Sequence, residues 1–251
     1  MLELLISKEE SICYLTLNRP EKRNALNDEL IYLLKESLRD ADGDEGLRAI
    51  VIKGEGKDFC SGADLAALQK MSESSYDENL EDARSLMELF LLIRAVKIPV
   101  IAAVHGRALA GGCGLATACD LILAAETARF GYPEVKIGFV PAMVMAILRR
   151  NLSEKRAFEM ITQGFEFSAS EAKSIGLVNR IFSDADFDEK VKEYALVYEK
   201  VSRSAIIRSK TLLYQMDGLT FHASMEAGAE ANAIARMTED CRKGIAKFLL
   251  K

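Results

Sequence analysis

Residues 99–141 read PVIAAVHGRALAGGCGLATACDLILAAETARFGYPEVKIGFVP. Residues 99–104 are apolar throughout and of strand length. Gly111, Gly112 and Gly114 follow, clustered where a strand feeds a short helix, and residues 120–125 form the next strand. Strand, short helix and strand, with apolar rather than alternating strands, is the pattern of a parallel sheet buried on both faces.

The same alternation extends towards the N-terminus. Residues 3–7 and 11–17 read as two strands, followed by the turn NRPEKRNAL at 18–26. Asn27 is placed to cap a helix opening DELIYLLKESL, with Asp28 and Glu29 in its first turn and Leu30, Leu34 and Leu38 on one face. RAIVI at 48–52 is another strand. The polar segment 70–79 reads as a mobile loop, and 80–96 as an amphipathic helix stopped by Pro99. From residue 153 onward the pattern is almost entirely helical. Ser153 and Ser168 are N-caps, Gly164 and Gly176 are stops, and the last helix begins after Thr238. The expected organisation is an α/β core over 1–190 and a helical region over 191–251. The latter is too small for a core of its own and suited to packing on another subunit.

Composition narrows the function. With 33 Lys+Arg against 38 Asp+Glu the formal charge is −5, which argues against nucleic-acid or anionic-membrane partners. No 18-residue uncharged apolar run exists, and MLELLISKEE lacks the basic and apolar regions of a signal peptide. Cysteines at 13, 60, 113, 119 and 241 show no CxxC spacing, and the histidines are His105 and His222 alone. That pattern predicts neither a metal site nor a disulfide framework, and a cytoplasmic location.

Three segments carry chemistry. GKDFCSGADL at 56–65 follows a strand and enters a helix, so its corner either is a plain connection or offers unpaired N–H groups to an anion. GRALAGGCGLATACDL at 106–121 has neither GxGxxG nor GxxxxGK[ST] spacing. Its glycines either let helix and sheet pack closely or expose a second N–H facing the first corner. In FGYPEVKIGFVP at 130–141, Glu134 sits among Phe130, Tyr132, Val135, Ile137 and Phe139. It is either a local turn residue or a general acid/base whose pKa is raised by apolar surroundings.

Together, NRPEKRNAL, RAIVIKGEGKDFCSGADL, the 99–141 block, EAKSIGLVNRI at 171–181 and TEDCRKGIAKFLLK at 238–251 resemble the crotonase superfamily, the enoyl-CoA hydratase/isomerase group, over nearly the whole chain. The resemblance implies a spiral of ββα units with a C-terminal helical trimerisation region, and assembly as a homotrimer or as a hexamer of paired trimers. It implies an acyl-CoA thioester substrate, with no cofactor beyond coenzyme A as part of that substrate. Carried over by position, Ala63 and Gly111 supply oxyanion-hole N–H groups and Glu134 is the catalytic carboxylate. Arg23, Ala25, Ala63, Asp64 and Leu65 fall on the CoA arm, Leu68, Met87 and Phe139 along the acyl chain with Met71 and Phe90, and Phe248 and Lys251 at positions that reach CoA, sometimes from a neighbouring subunit.

The chain departs from the pattern at Gly114, where hydratases of the group carry their first glutamate. It also reads PAMVMAILRR after Val140, where many carry a Gly-Gly-Thr-Gln run. One carboxylate suffices to move a proton between two carbons of a 3-enoyl thioester, so isomerisation is favoured. Hydration would need a substitute acid, with Glu81, Asp82 or Glu88 as candidates. A catalytically weak acyl-CoA binder is the reading from another class. An RNA-binding role lacks a basic stripe, and a serine peptidase lacks a Ser/His pair. His105 and Cys113 are assigned to packing.

Overall fold

The structure is a computed structural model describing residues 2–250. Six strands form the main sheet in the order β1 (Leu4–Glu9), β2 (Ile12–Leu17), β3 (Ala49–Gly54), β4 (Val100–Val104), β6 (Leu121–Ala125) and β9 (Arg180–Phe182). Only β1 is antiparallel to its neighbour. A second sheet orders β5 (Arg107–Leu109), β7 (Arg129–Gly131) and β8 (Glu166–Ser168).

The apolar strands have the two covered faces that their composition requires. One face, with Leu15, Ile50, Ile52, Ala102 and Val104, packs on α1 (Asp28–Gly43) and its neighbours. The other, with Ile12, Val51, Ile101 and Leu123, receives Phe187, Val191 and Ala195 of α8 (Phe187–Leu196). Residue 190 therefore falls inside a helix that covers the sheet. In α1 the Asn27 side chain accepts from Leu30 N, and Leu30, Leu34 and Leu38 are buried as their spacing predicts.

Two local expectations are corrected. Residues 70–79 are not a loop: α2 (Leu65–Glu73) runs into the segment, and only Ser74 and Ser75 separate it from α3 (Tyr76–Ala95). Ser75 and Glu78 form a capping box there, which satisfies the first N–H groups of α3. From residue 153 onward the chain is almost entirely helical as expected, but two short strands that were not expected, β8 and β9, complete the two sheets. Three-residue strands are specified by the partner they pair with, so they leave almost no periodicity to read.

Next along the chain come α4 (Gly111–Ala118), α5 (Ala142–Asn151), α6 (Glu154–Gln163) and α7 (Ala169–Ser174). The chain ends in α9 (Arg203–Gln215), α10 (Phe221–Met237) and α11 (Glu239–Leu249), whose described residues include none that is buried. α9 is fastened to the sheet by Lys210. Its ammonium donates to Asp120 (2.7 Å) and to the carbonyls of Ile93 and Ile98 (3.1 Å each), while Tyr214 donates to the other Asp120 oxygen. No described helix is long and apolar enough to cross a membrane.

Candidate active site

The 56–65 and 106–121 segments meet. Leu26 N donates to Gly62 O (2.6 Å) and Asp64 N to Leu26 O (3.1 Å). In that parallel bridge the N–H of Ala63 points away from Leu26. Cys60 pairs likewise with Ala108 through its N–H to Arg107 O and its carbonyl to Leu109 N. The corner of Gly62 is thereby pressed onto the start of α4. A Cβ on Gly62 would stand 2.8 Å from Ala110 Cβ and 3.5 Å from Gly111 N, and Gly62 has φ +100°. Gly62→Ala is accordingly expected to cost about 1–3 kcal/mol in denaturant unfolding, through strain and overlap at this contact.

Gly111 opens α4, so its N–H lacks a partner within the helix. Among the described residues neither Ala63 N–H nor Gly111 N–H finds an acceptor. Ala110, just before Gly111, holds φ +48° and ψ −127°, a conformation L-residues rarely adopt. Its N–H donates to Gly131 O (2.9 Å), which helps hold that turn.

The register of β5 and β7 brings Glu134 to the same end. Leu109 pairs with Gly131 in parallel, so Gly111 lies two residues beyond one strand and Glu134 three beyond the other. Pro133 starts a short 3-10 turn, Pro133–Ile137, that presents Glu134. Its Oε2 is buried without a hydrogen-bond partner, and burial pushes its pKa up. Its charge in turn helps raise the thiol of Cys113, in the first turn of α4. That thiol is pushed to about 12, chiefly by burial, which makes it an inert packing group as expected.

The three candidate acids are engaged elsewhere or exposed. Glu88 pairs with Lys35 (3.2 Å), Asp82 neighbours Asp28 and Lys70, and Glu81 is exposed. At Gly114 the space is taken by a ring. A Cβ there would stand 3.0 Å from Phe90 Cζ and 3.9 Å from Val144 Cβ.

The structure therefore groups Ala63, Gly111 and Glu134. Arg23 is exposed at φ +51°, with its carbonyl accepting from Ser61 N (3.0 Å). Ala25 is buried beneath it. The Asp64 carboxylate is turned inward: it caps α2 at Ala66 N (2.8 Å) and pairs with Arg19 (2.6 Å) and Lys22 (3.1 Å). The Ala66 N–H first, then Arg19 and Lys22, hold its pKa down at about 2. Leu68 is half-buried on α2, while Met87 and Phe139 are exposed. Phe248 is 78% exposed on α11, which packs on α10, so this single chain does not bring it into the group. Lys251 and the side chain of Leu65 lie outside the described residues. His105 Nε2 donates to Gly56 O (2.9 Å), a turn contact.

Sequence reasoning missed Arg19, Asn24 and Asp58. Arg19 is buried and ties Glu3, the Ala25 carbonyl and Asp64 together. Asn24, fully buried at φ +54°, accepts from Arg19 N and donates to the carbonyls of Glu55 and Asp58. Asp58 accepts from Arg107 N (3.0 Å). Arg19 and Asn24 lie among the other charged and amide residues of NRPEKRNAL and Asp58 next to Lys57, so nothing local marked them as buried.

Two unpaired N–H groups next to a buried carboxyl can hold a carbonyl oxygen as it gains charge while a proton moves nearby. The chain shares its fold with enoyl-CoA hydratases. Its backbone matches a crystal structure of an enoyl-CoA hydratase from Mycobacterium smegmatis with TM-score 0.95 at 32% identity, covering 99% of this chain and 96% of that one. Residues 7–251 match the enoyl-CoA hydratase/isomerase family. A Thermus thermophilus chain whose name places it in the same family is 43% identical over 94% of this chain and 93% of its own. The 2,3-dehydroadipyl-CoA hydratase of Escherichia coli is 35% identical over 100% and 97%. The chain belongs to the enoyl-CoA hydratase/isomerase family of the crotonase superfamily.

Proposed function

We propose that the enzyme moves the double bond of a 3-enoyl-CoA to the 2-position. The Glu134 carboxylate takes a proton from C2, and the electrons pass to the thioester oxygen. The N–H groups of Ala63 and Gly111 hold that oxyanion, each contributing about 3–4 kcal/mol. The Glu134 carboxyl then returns the proton to C4, and C3=C4 becomes C2=C3. A base whose pKa is raised towards neutrality suits both transfers. The CoA arm runs past Arg23, Ala25, Asp64 and Leu65, and the acyl chain lies towards Leu68, Met87 and Phe139. Coenzyme A enters as part of the substrate.

The observation that supports this reading is the isolation of Glu134. Its Oε2 has no partner, and the Gly114 position is filled by Phe90 rather than by an acid. The helical end favours a homotrimer or hexamer, in which Phe248 and Lys251 approach CoA on a neighbouring copy. Leu213, Phe221, Met225, Met237 and Phe248 of α9–α11 are exposed.

A second reading, hydration of a 2-enoyl-CoA, is favoured by the hydratase names of the relatives, among them a crotonyl-CoA hydratase of Syntrophomonas wolfei at 33% identity over 99% of this chain and 95% of its own. A paired assay following the conjugated thioester absorbance separates them. Isomerisation produces conjugation from a 3-enoyl-CoA and leaves a 2-enoyl-CoA unchanged. Loss of conjugation from the 2-enoyl-CoA would establish hydration and overturn the isomerase reading. Silence on both would leave a binding role.

A further inference from the structure

Phe90 comes from α3, yet it sits in the wall built around α4. It is 5% exposed, and with Leu89 and Ile93 it forms the buried side of its helix. A Cβ on Gly114 would meet its Cζ at 3.0 Å and its Cε2 at 3.4 Å, with Val144 of α5 behind at 3.9 Å. A Cβ at 114 would therefore need the ring to give by a few tenths of an ångström. Gly114 is one turn below Gly111 on α4, on the same side of that helix, and adjoins Cys113, whose thiol senses the Glu134 charge. The wall beside the reacting region is thus a closed apolar contact of three helices. The hydroxyls of Thr117 and Tyr132 beside Cys113 are engaged with each other (2.7 Å), and Thr117 donates on to the Cys113 carbonyl (2.8 Å).

We infer that Phe90 is a specificity-determining residue: its ring, closed onto Gly114 and Val144, keeps that wall dry, so that the proton held by Glu134 goes back to carbon and water is not added. This rests on the proposed isomerase reading. In the permitted reaction Glu134 gains one proton from C2 and loses one to C4. In the excluded one, a water oxygen bonds to C3 while its proton goes to a base and C2 gains a proton. The second needs a water lodged in the wall that the ring occupies.

The test compares wild type, Phe90→Ala and Phe90→Leu, each checked for folding by thermal melting and near-ultraviolet circular dichroism. Each is assayed with a 3-enoyl-CoA for isomerisation and with a 2-enoyl-CoA for water addition. The ratio of water addition to isomerisation is expected to rise about tenfold or more in Phe90→Ala, and less in Phe90→Leu, which keeps most of the side-chain volume. Phe90→Leu keeps the test open if the alanine variant fails to fold. A ratio unchanged in the folded variants, with both rates falling together, would overturn the inference and leave Phe90 a packing residue. Wild type that hydrates and does not isomerise would overturn the isomerase reading instead. It would remove the dry wall with it, whereas an unchanged ratio in variants of an isomerising wild type overturns the inference alone.

Discussion

Glu134→Gln is expected to lower kcat on the proposed 3-enoyl-CoA substrate by about 100- to 10,000-fold while leaving ligand affinity close to wild type. The amide keeps the size and hydrogen-bonding reach of the side chain but cannot take a proton from C2. Steady-state turnover and acyl-CoA titration read the two effects separately. Unchanged turnover would remove Glu134 from the reaction. The same substitution has an opposite effect on stability. Burial raises the Glu134 pKa, so the folded protein holds this proton more tightly than the unfolded chain does. Stability is then lost as pH rises from the ordinary glutamate range through the raised value, because the buried group must ionise. Gln never ionises. Denaturant unfolding should find Glu134→Gln more stable than wild type at neutral pH, with the gap closing in acid. Activity should follow the other arm, falling as pH drops through the same raised value and the base is protonated.

Arg19→Met is the second large effect, and it acts on the frame rather than on the chemistry. The guanidinium is 6% exposed and the Asp64 side chain 7%. Losing Arg19 leaves Asp64 with Lys22, whose own side chain is half in solvent, strips the Ala25 carbonyl of its donor and leaves Glu3 with Asn27. Breaking a buried pair from one side costs about 3–5 kcal/mol, read by denaturant unfolding. Since Asp64 directly follows Ala63, activity should fall in whatever fraction remains folded. Acid dependence gives a second measure. The Asp64 pKa is depressed to about 2, so its contribution is present above the ordinary aspartate range and is lost as pH falls from there towards 2. Asp64→Asn should flatten that part of the acid-unfolding profile.

The sequence made the strands and the main helices legible because each carries its own period or its own cap. Leu30, Leu34 and Leu38 announce the buried side of α1, and Asn27 its start. The Ser75–Glu78 capping box was equally local, but a run of polar residues around it reads as a loop when the box is overlooked. The three-residue strands β5, β7, β8 and β9 could not be read, since each becomes a strand only beside its partner in another segment. The site follows the same division. Glu134, the two glycine corners and the gap at Gly114 stand in plain sequence. What fills that gap does not: Phe90 is 24 positions away and reaches Gly114 only once α3 and α4 are packed. Arg19 is likewise just another charge until the fold sets it against Asp64, 45 residues on.

Glu134 and the N–H of Gly111 hang from one strand pair, β5 and β7, while the wall beside them is supplied by α3 and α5. Frame and lining are thus separate parts of the chain. With Phe90 and Val144 kept, the other residues of 76–95 and 142–151 can be varied while β5 and β7 hold the proposed proton base and anion acceptor at their spacing. A library confined to those two helices would explore substrate range on a fixed reaction centre.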